Sequence, residues 1–379
     1  MNVRAGMAML TVGLLRGALG ALAAPEATGA PSLRSVSEAE RLSYIRRAQV
    51  WTRTDVSSMD LRAGPPGGFA PHEDVTCDYV PAPKTGSSPK FECALAPDDI
   101  VKVKYRETNG KVFAAVAATR LFWALGFGAD GDYQVRLDCR GCPADPWKAT
   151  EPRLPSVVFE HALIERLMPG HEIESRPDEG WSFHELDLVD PAQSGAPPEQ
   201  RDALRLLAVF VQHTDNKVSN QRLICLPKQQ SPEAPPGERC RAPFMYVHDL
   251  GSTFGRGWLF EAHSVGSANF KQWSRVPLWH DRVRCKTRLG GDVTFLPWAW
   301  SADHYTLKDP VVGEAGRRFL ADLLAQLRDE QIRDMFEAAS MDQRQWDSPE
   351  DQDRNGTIDQ WVAAFKARRD ELVDHSCPR

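Results

Sequence analysis

Alternation of apolar and polar residues predicts strands in the first half of the chain. Within residues 99–105, two valines and a tyrosine share one face, whereas Lys102 and Lys104 share the other, as expected for a half-buried strand. Residues 75–80 and 90–95 are also strand-like, and they flank a proline- and serine-rich stretch. We therefore predict that these two segments pair as a hairpin. Further strands are predicted over residues 132–137 and 157–167.

Helical periodicity predicts the remaining regular structure. Residues 111–125 are rich in alanine and large apolar residues and are followed by Gly126, a favourable helix end. Residues 200–212 place leucines, an alanine and a valine on one face, which is typical of an amphipathic helix. Additional helices are predicted over residues 38–51, 314–339 and 361–373.

These elements predict an α+β protein with more than one unit. The chain has 379 residues, more than a single compact core usually contains. Residues 190–199 combine proline, glycine and polar residues and give the clearest boundary signal. We therefore predict a leader with an N-terminal helix (25–71), a small lobe built on an antiparallel sheet (72–190), and a mainly helical lobe (191–379).

The first 24 residues predict a signal peptide. Arg4 precedes a short apolar stretch, and Ala-Leu-Ala at residues 21–23 matches a cleavage site. No later stretch is apolar enough to cross a membrane. The formal net charge of −6 does not indicate a nucleic acid or another polyanion as partner. We expect a secreted or periplasmic protein, and the sequence does not determine its oligomeric state.

Eight cysteines, an even number in a chain predicted to be exported, indicate a disulfide framework. The predicted hairpin brings Cys77 near Cys93. Cys225 and Cys240 flank a polar, proline-rich insertion and can close its base. We predict that both pairs are bridged, although cysteine positions alone do not determine the pairing.

Two motifs have the spacing of metal sites but lack ligands. Cys139-x-x-Cys142 can be half of a zinc site, but no second half follows, and a redox role lacks the surrounding βαβ pattern. Residues 351–359 resemble the start of an EF-hand calcium loop, but a valine stands where the bidentate glutamate belongs. The alternative for this segment is that Thr357-x-x-Gln360 forms a capping box that opens a helix.

The segment His213-x-Asp215-x-Lys217-x-x-Asn220 carries the main chemical signal. Its spacing is that of a catalytic loop in which an aspartate accepts a hydroxyl proton and an asparagine binds Mg²⁺. The structural alternative is a polar turn between a helix and a strand, because aspartate and asparagine bond readily to nearby backbone amides.

Three further features supply what phosphate chemistry needs. An apolar strand ends in Asp249-x-Gly251, where a carboxylate can bind a cation. The strand at 99–105 offers a lysine for phosphates, and we favour Lys104; the alternative is a strand with two solvated lysines. The hairpin tip, which includes Gly86, Ser87 and Ser88, can offer amides and hydroxyls to phosphates.

Together these residues resemble the atypical protein-kinase-like superfamily. The pattern is similar to that of HipA-like kinases, type II phosphatidylinositol 4-kinases and the Golgi casein kinase group, and it covers about residues 72–340. The resemblance implies a two-lobed kinase-like fold with ATP and Mg²⁺ or Mn²⁺ as cofactors. It implies Asp215 as the base, Lys217 near the transferred phosphate, Asn220 and Asp249 as metal ligands, and Lys104 as the phosphate lysine.

The sequence departs from the kinase pattern at three places. The helix after the lysine strand has alanines where kinases have the glutamate that pairs with the lysine, so Glu160 or Glu165 is left as a substitute. Thr214 replaces the catalytic-loop arginine, which argues against control by a phosphorylated activation loop. No complete G-x-G-x-x-G is present.

These departures leave two functions open. The first is an exported phosphotransferase that acts on a protein, lipid or glycan hydroxyl, with adenylate transfer possible from the same groups. The second is a secreted pseudokinase that binds a nucleotide or a partner without catalysis.

Overall fold

The structure is a computed structural model that describes residues 33–83, 86, 88–148, 150–256, 267–289 and 306–378. The predicted signal peptide (1–24) and Ser87 of the hairpin tip lie outside these ranges. Within them, no helix is long and apolar enough to cross a membrane. Strands and helices both contribute substantially, so the α+β prediction is confirmed.

Five strands of the first half form a closed barrel in the order β1-β2-β3-β5-β4. Neighbouring strands are antiparallel except β1 and β4, which pair in parallel and close the barrel. The prediction of an antiparallel sheet is therefore corrected: one pair is parallel, and the sheet closes into a barrel. The strands are β1 (Asp74–Val80), β2 (Lys90–Ala96), β3 (Asp99–Tyr105), β4 (Gly131–Arg140) and β5 (Ser156–Arg166).

The alternation within these strands separates an apolar interior from a charged outer face. Interior side chains include Phe91, Val101, Val103, Leu137 and Ile164. On the outer face, the register places Glu165 of β5 opposite a lysine of β3 and an aspartate of β4. The lysine is Lys102 and the aspartate is Asp132, and each is the direct cross-strand partner of Glu165.

The helices pack against the barrel through α2, which is buried along almost its whole length. One apolar cluster includes side chains of α2, of α3 and of the C-terminal helices. The predicted division at residue 190 stays a prediction. The helices are α1 (Glu38–Arg46), α2 (Gly110–Ala124), α3 (Pro198–Phe210), α4 (Phe270–Trp273), α5 (Glu314–Leu324), α6 (Asp329–Ala338) and α7 (Ile358–Val373).

A small three-stranded sheet follows the barrel and carries the predicted catalytic segments. Its order is β6-β7-β8, with all pairs antiparallel. The strands are β6 (His171–Glu172), β7 (Gln221–Cys225) and β8 (Pro243–Val247), and a separate two-stranded pair consists of β9 (Trp279–Asp281) and β10 (Lys286–Thr287). Asn220 immediately precedes β7 and Asp249 follows β8, so the pairing of these strands brings both residues to one end of the sheet.

All eight cysteines lie in the described ranges and pair as disulfides. The predicted Cys77–Cys93 and Cys225–Cys240 bridges are confirmed. The other two bridges are Cys139–Cys142 and Cys285–Cys377. The CxxC pair is thus a disulfide, whereas zinc binds the thiolate. Disulfides persist in oxidising compartments, which fits a secreted or extracellular protein.

The segment that resembles a calcium loop is tied to the rest of the protein. Residues Pro349–Arg354 form a 3₁₀ helix, and Asp353 bonds to Lys271. Thr357 and Gln360 form the capping box that begins α7. The helix-capping alternative is therefore confirmed.

Candidate functional site

The loop between α3 and β7 is held by bonds to its neighbours. The backbone amide of Thr214 donates to the Ser252 carbonyl at 2.9 Å. The buried side chain of Asn216 donates to the carbonyls of His213 and Leu307, and its oxygen accepts from the Leu307 amide. These contacts fix the backbone on both sides of Asp215. The direction in which its side chain projects from the loop is therefore defined.

Asn220, one predicted metal ligand, links the loop to Asp249, the other predicted metal ligand. Its side-chain nitrogen donates to the Asp215 carbonyl at 2.6 Å. Its own carbonyl accepts from the amides of His248 and Asp249. Because the side-chain nitrogen is engaged, the side-chain oxygen is the atom left to bind a cation. Asp215, Asn220 and Asp249 are thus brought together, as the predicted roles require.

Asp249 lies between two lysines. Its Oδ1 accepts from the Gly251 amide at 2.9 Å and lies 3.4 Å from Lys104 Nζ, and its Oδ2 lies 4.0 Å from Lys111 Nζ. Burial raises the pKa of the Asp249 carboxyl, but the two ammonium groups and the amide outweigh burial and hold this pKa well below its usual range. The group is therefore a carboxylate, the form that binds a hard cation.

The acidic partner of Lys104 comes from a neighbouring strand, because the helix that follows the lysine strand supplies no glutamate. The Lys104 side chain is 3% exposed, and Nζ lies 3.1 Å from Glu165 Oε2 on the neighbouring strand. Burial lowers the pKa of Lys104, but Asp249 and Glu165 outweigh it and raise this pKa well above its usual value. The other alternative, Glu160, is exposed and pairs with Arg136. Of the two substitutes, Glu165 is the partner.

Lys111 is the site residue that the sequence analysis missed. Its Nζ lies 3.5 Å from Asp215 Oδ2, and its side chain is 9% exposed. A signal was present in the sequence, because Lys111 is in the first turn of α2, where the helix dipole disfavours a cation. Such a position needs compensation by anions, and the structure supplies two carboxylates.

Lys217 also approaches the predicted base. Its Nζ lies 3.4 Å from Asp215 Oδ2, and its side chain is about one third exposed. Burial raises the pKa of Asp215, but Lys111 and Lys217 outweigh burial and hold this pKa below its usual value. Asp215 is therefore ionised at neutral pH and able to accept a proton.

The hairpin tip approaches the site through Lys90. Gly86 has φ +75°, a backbone conformation that favours glycine, and a Cβ added there would lie 3.1 Å from Lys90 Nζ. Burial, Lys102 and Lys104 together lower the pKa of Lys90. Ser88 is buried. The ammonium groups of Lys90, Lys102 and Lys104 thus lie near one another on this side of the barrel.

Two hollows on the outer face of the barrel share Lys102 and Glu92. One is a cavity of about 290 Å³, with apolar walls from Ile100 and Leu167 and with Glu165 beside them. The other lies under the hairpin and is lined by Tyr79, Val80, Pro83 and Lys90 among others. Both hollows flank the strand that carries Lys104.

The buried carboxylate of Asp130 holds the residue that precedes Asp249 in place. His248 bonds through Nδ1 to Asp130, which is fully buried and also accepts from the Met168 amide. Asp130 immediately precedes the barrel strand β4, so this contact fixes the end of β8 against the barrel. Together with the Lys104–Asp249 ion pair, this contact joins the segment after β8 to the barrel.

The burial of His213 leads us to predict that the stability of the protein depends on pH. His213 is fully buried, and its two ring nitrogens have no hydrogen-bond partner within the part of the chain that the structure describes. Burial lowers its pKa to about 4, whereas the unfolded value is about 6.5. Between these pH values only the unfolded state binds the proton, so stability falls as the pH is lowered through this window.

We therefore expect the wild type to lose about 2 kcal/mol more unfolding free energy than His213→Phe between pH 7 and pH 5. Urea denaturation at both pH values measures the difference. His184→Phe, at an exposed position, is the control and should lose as much as the wild type. Equal losses for wild type and His213→Phe would contradict this assignment.

Comparisons with known proteins do not assign the chain to a family. No family model matches the chain, and no curated protein matches it. Among solved structures, the chain is similar to the crystal structure of a Helicobacter pylori proinflammatory kinase, CtkA, with 8% sequence identity and a TM-score of 0.39. The match covers 80% of this chain and 96% of that one.

Proposed function

We propose that this protein is an exported, ATP- and Mg²⁺- or Mn²⁺-dependent phosphotransferase of the kinase-like class. One observation carries the proposal: Lys104, Asp215, Asn220 and Asp249, from three separate segments, lie together around one site. A polar turn needs no lysine from a distant strand. The acceptor is a hydroxyl of a protein, lipid or glycan.

The residues present fit a divalent cation. The Asn220 side-chain oxygen and the Asp249 carboxylate are hard oxygen ligands on adjacent segments, and Mg²⁺ usually takes one or two such protein ligands beside phosphate oxygens and water. When bound, the cation neutralises charge on the phosphates. Lys104, whose ammonium is held by Glu165, would bind phosphate oxygens.

The nucleobase has a matching location. The cavity beside Ile100 and Leu167 offers apolar walls, which suit a flat aromatic ring. It shares the outer face of β3 with Lys104, so a nucleotide with its base there directs its phosphates along the strand toward Lys104. Lys90 and Gly86 lie on the hairpin side of that path.

Asp215 performs the acid–base step. Its carboxylate orients the acceptor hydroxyl and takes its proton as the oxygen bonds to phosphorus. Lys217, whose Nζ lies 3.4 Å from Asp215 Oδ2, would stabilise the transferred phosphoryl group. If an acceptor attacks the α-phosphorus instead, the same groups transfer adenylate.

The second candidate is a pseudokinase that binds nucleotide without turnover. The absence of a helix glutamate favoured it in the sequence. Glu165 now supplies an acid 3.1 Å from Lys104, which removes that reason and favours the enzyme.

The test measures metal-dependent nucleotide binding. We expect Mg²⁺ or Mn²⁺ to strengthen ATP binding by wild type, measured by calorimetry with metal or chelator, and Asp249→Ala to abolish this metal effect, because the charged ligand is gone. Asp322→Ala, at an exposed position on α5, should behave as wild type. Equal ATP affinity in metal and in chelator, for wild type and Asp249→Ala alike, would exclude the proposed metal site.

Product analysis separates enzyme from pseudokinase. Wild type is incubated with ATP, metal and candidate protein, lipid and glycan acceptors, and ³¹P spectra report phosphate, adenylate and hydrolysis products. Metal-dependent ATP binding without any product would favour the pseudokinase.

A further inference from the structure

Lys111 occupies the space between the two carboxylates on which the proposed chemistry depends. Its ammonium nitrogen lies 3.5 Å from Asp215 Oδ2 and 4.0 Å from Asp249 Oδ2. In a phosphotransferase, the base and the metal ligand lie on either side of the transferred phosphoryl group. Lys111 is therefore a cation already present where negative charge accumulates during transfer.

The fold brings Lys111 there through a close approach of two segments. Gly251 has no side chain, and a Cβ added at this position would lie 3.0 Å from both Cβ and Cδ of Lys111. The aliphatic part of Lys111 thus packs directly on the backbone that follows Asp249. Asn109 caps the helix by accepting from the Lys111 amide, which fixes the start of α2. The glycine of the Asp-x-Gly motif has a specific role here, because it makes room for the lysine.

A second divalent cation would need the same space. In protein kinases, two Mg²⁺ ions are held by the aspartate of the metal motif and the asparagine of the catalytic loop, and each ion needs oxygen ligands. Here one carboxylate oxygen of Asp249 lies next to Lys104, and the other lies next to Lys111. The ammonium of Lys111 is nearly buried and carries the positive charge that a second ion would supply.

We propose that Lys111 is a catalytic residue that substitutes for a second divalent cation by binding the nonbridging oxygens of the transferred phosphoryl group. This inference rests on the proposed function and specifies it further: one cation, on Asn220 and Asp249, is sufficient.

These groups account for each bond, electron pair and proton in the phosphoryl transfer. The bond between the γ-phosphorus and the oxygen that bridges to the β-phosphate breaks, and the bonding electron pair leaves with ADP. The acceptor oxygen bonds to the same phosphorus, and its proton passes to Asp215. The nonbridging oxygens stay negative throughout, and Lys111 offers them N–H donors from a fixed, nearly dry position.

Metal counting tests this inference independently of turnover. Bound Mn²⁺ is counted by electron paramagnetic resonance in the presence of a non-hydrolysable ATP analogue, for wild type, Lys111→Met and Lys111→Arg. Lys228→Met, at an exposed position, is the control. Thermal unfolding of each variant establishes that it is folded, and Lys111→Arg retains the positive charge if Lys111→Met is unstable.

We expect one Mn²⁺ per chain in wild type, Lys111→Arg and the control. In Lys111→Met, we expect a second Mn²⁺ at higher concentration and a turnover that falls roughly a hundredfold but recovers in part as Mn²⁺ is raised. Two Mn²⁺ ions in wild type, or a Lys111→Met variant with unchanged metal count and turnover, would overturn the role of Lys111 alone. Metal-independent nucleotide binding by wild type would instead remove the proposed function and this inference with it.

Discussion

Replacement of Asp215 by asparagine is expected to lower phosphoryl transfer roughly a hundredfold or more, the usual effect of losing a general base. The asparagine nearly keeps the shape of the side chain but cannot accept the acceptor proton. Loop geometry should persist, because Asn220 bonds to the backbone carbonyl of residue 215 and not to its side chain. Nucleotide affinity should change little, because Lys104 and Asp249 are unaltered.

Single-turnover transfer and ATP titration measure the two quantities separately. Asp187→Asn is the matched control, because Asp187 is exposed and pairs with Arg205 away from the site, and it should leave both quantities unchanged. Equal turnover for wild type and Asp215→Asn would reduce the 213–220 segment to the polar turn that the sequence left as an alternative.

Features that depend on residues close together in the sequence were predictable from it. The alternation in residues 99–105 gave the strand and the shared face of Lys102 and Lys104, because a strand repeats every two residues whatever surrounds it. The spacing in residues 213–220 likewise indicated one loop. The hairpin explains why Cys77 and Cys93 were paired correctly, since a hairpin brings nearby segments together.

Features that depend on distant pairings were not predictable in the same way. The parallel pairing of β1 and β4 that closes the barrel joins strands separated by more than fifty residues, and no local pattern records it. Glu165 was one of two alternatives, and only the β3–β5 register selected it, because it places Glu165 across from Lys102 and next to Lys104. Lys111 depends on contact between α2 and Gly251, two segments far apart in sequence.

The position of Glu165 also bears on control of the site. In the kinase pattern, the lysine pairs with a glutamate on a helix, so movement of that helix can break the pair. Here both partners lie on hydrogen-bonded barrel strands, and α2 is buried on nearly all sides. The Lys104–Glu165 pair is therefore built into the barrel and does not depend on the position of a helix.

Replacement of Lys104 by methionine is expected to lower stability by about 3–5 kcal/mol, the usual cost of breaking a buried ion pair. Lys104 is almost fully buried between Glu165 and Asp249, and its loss leaves two carboxylates facing each other without their shared cation. ATP affinity should fall as well, because the variant lacks the ammonium that we propose binds phosphate oxygens. Urea denaturation and ATP titration measure the two effects.

The double variant Lys104→Met/Glu165→Leu separates these two effects. Removal of both charges relieves the unpaired Glu165 carboxylate, so much of the lost stability should return. Lys102, the other partner of Glu165, is about one third exposed and retains access to water. ATP affinity should stay low in the double variant, because apolar side chains cannot bind phosphate. If ATP affinity recovers together with stability, Lys104 supports the barrel and does not bind the nucleotide.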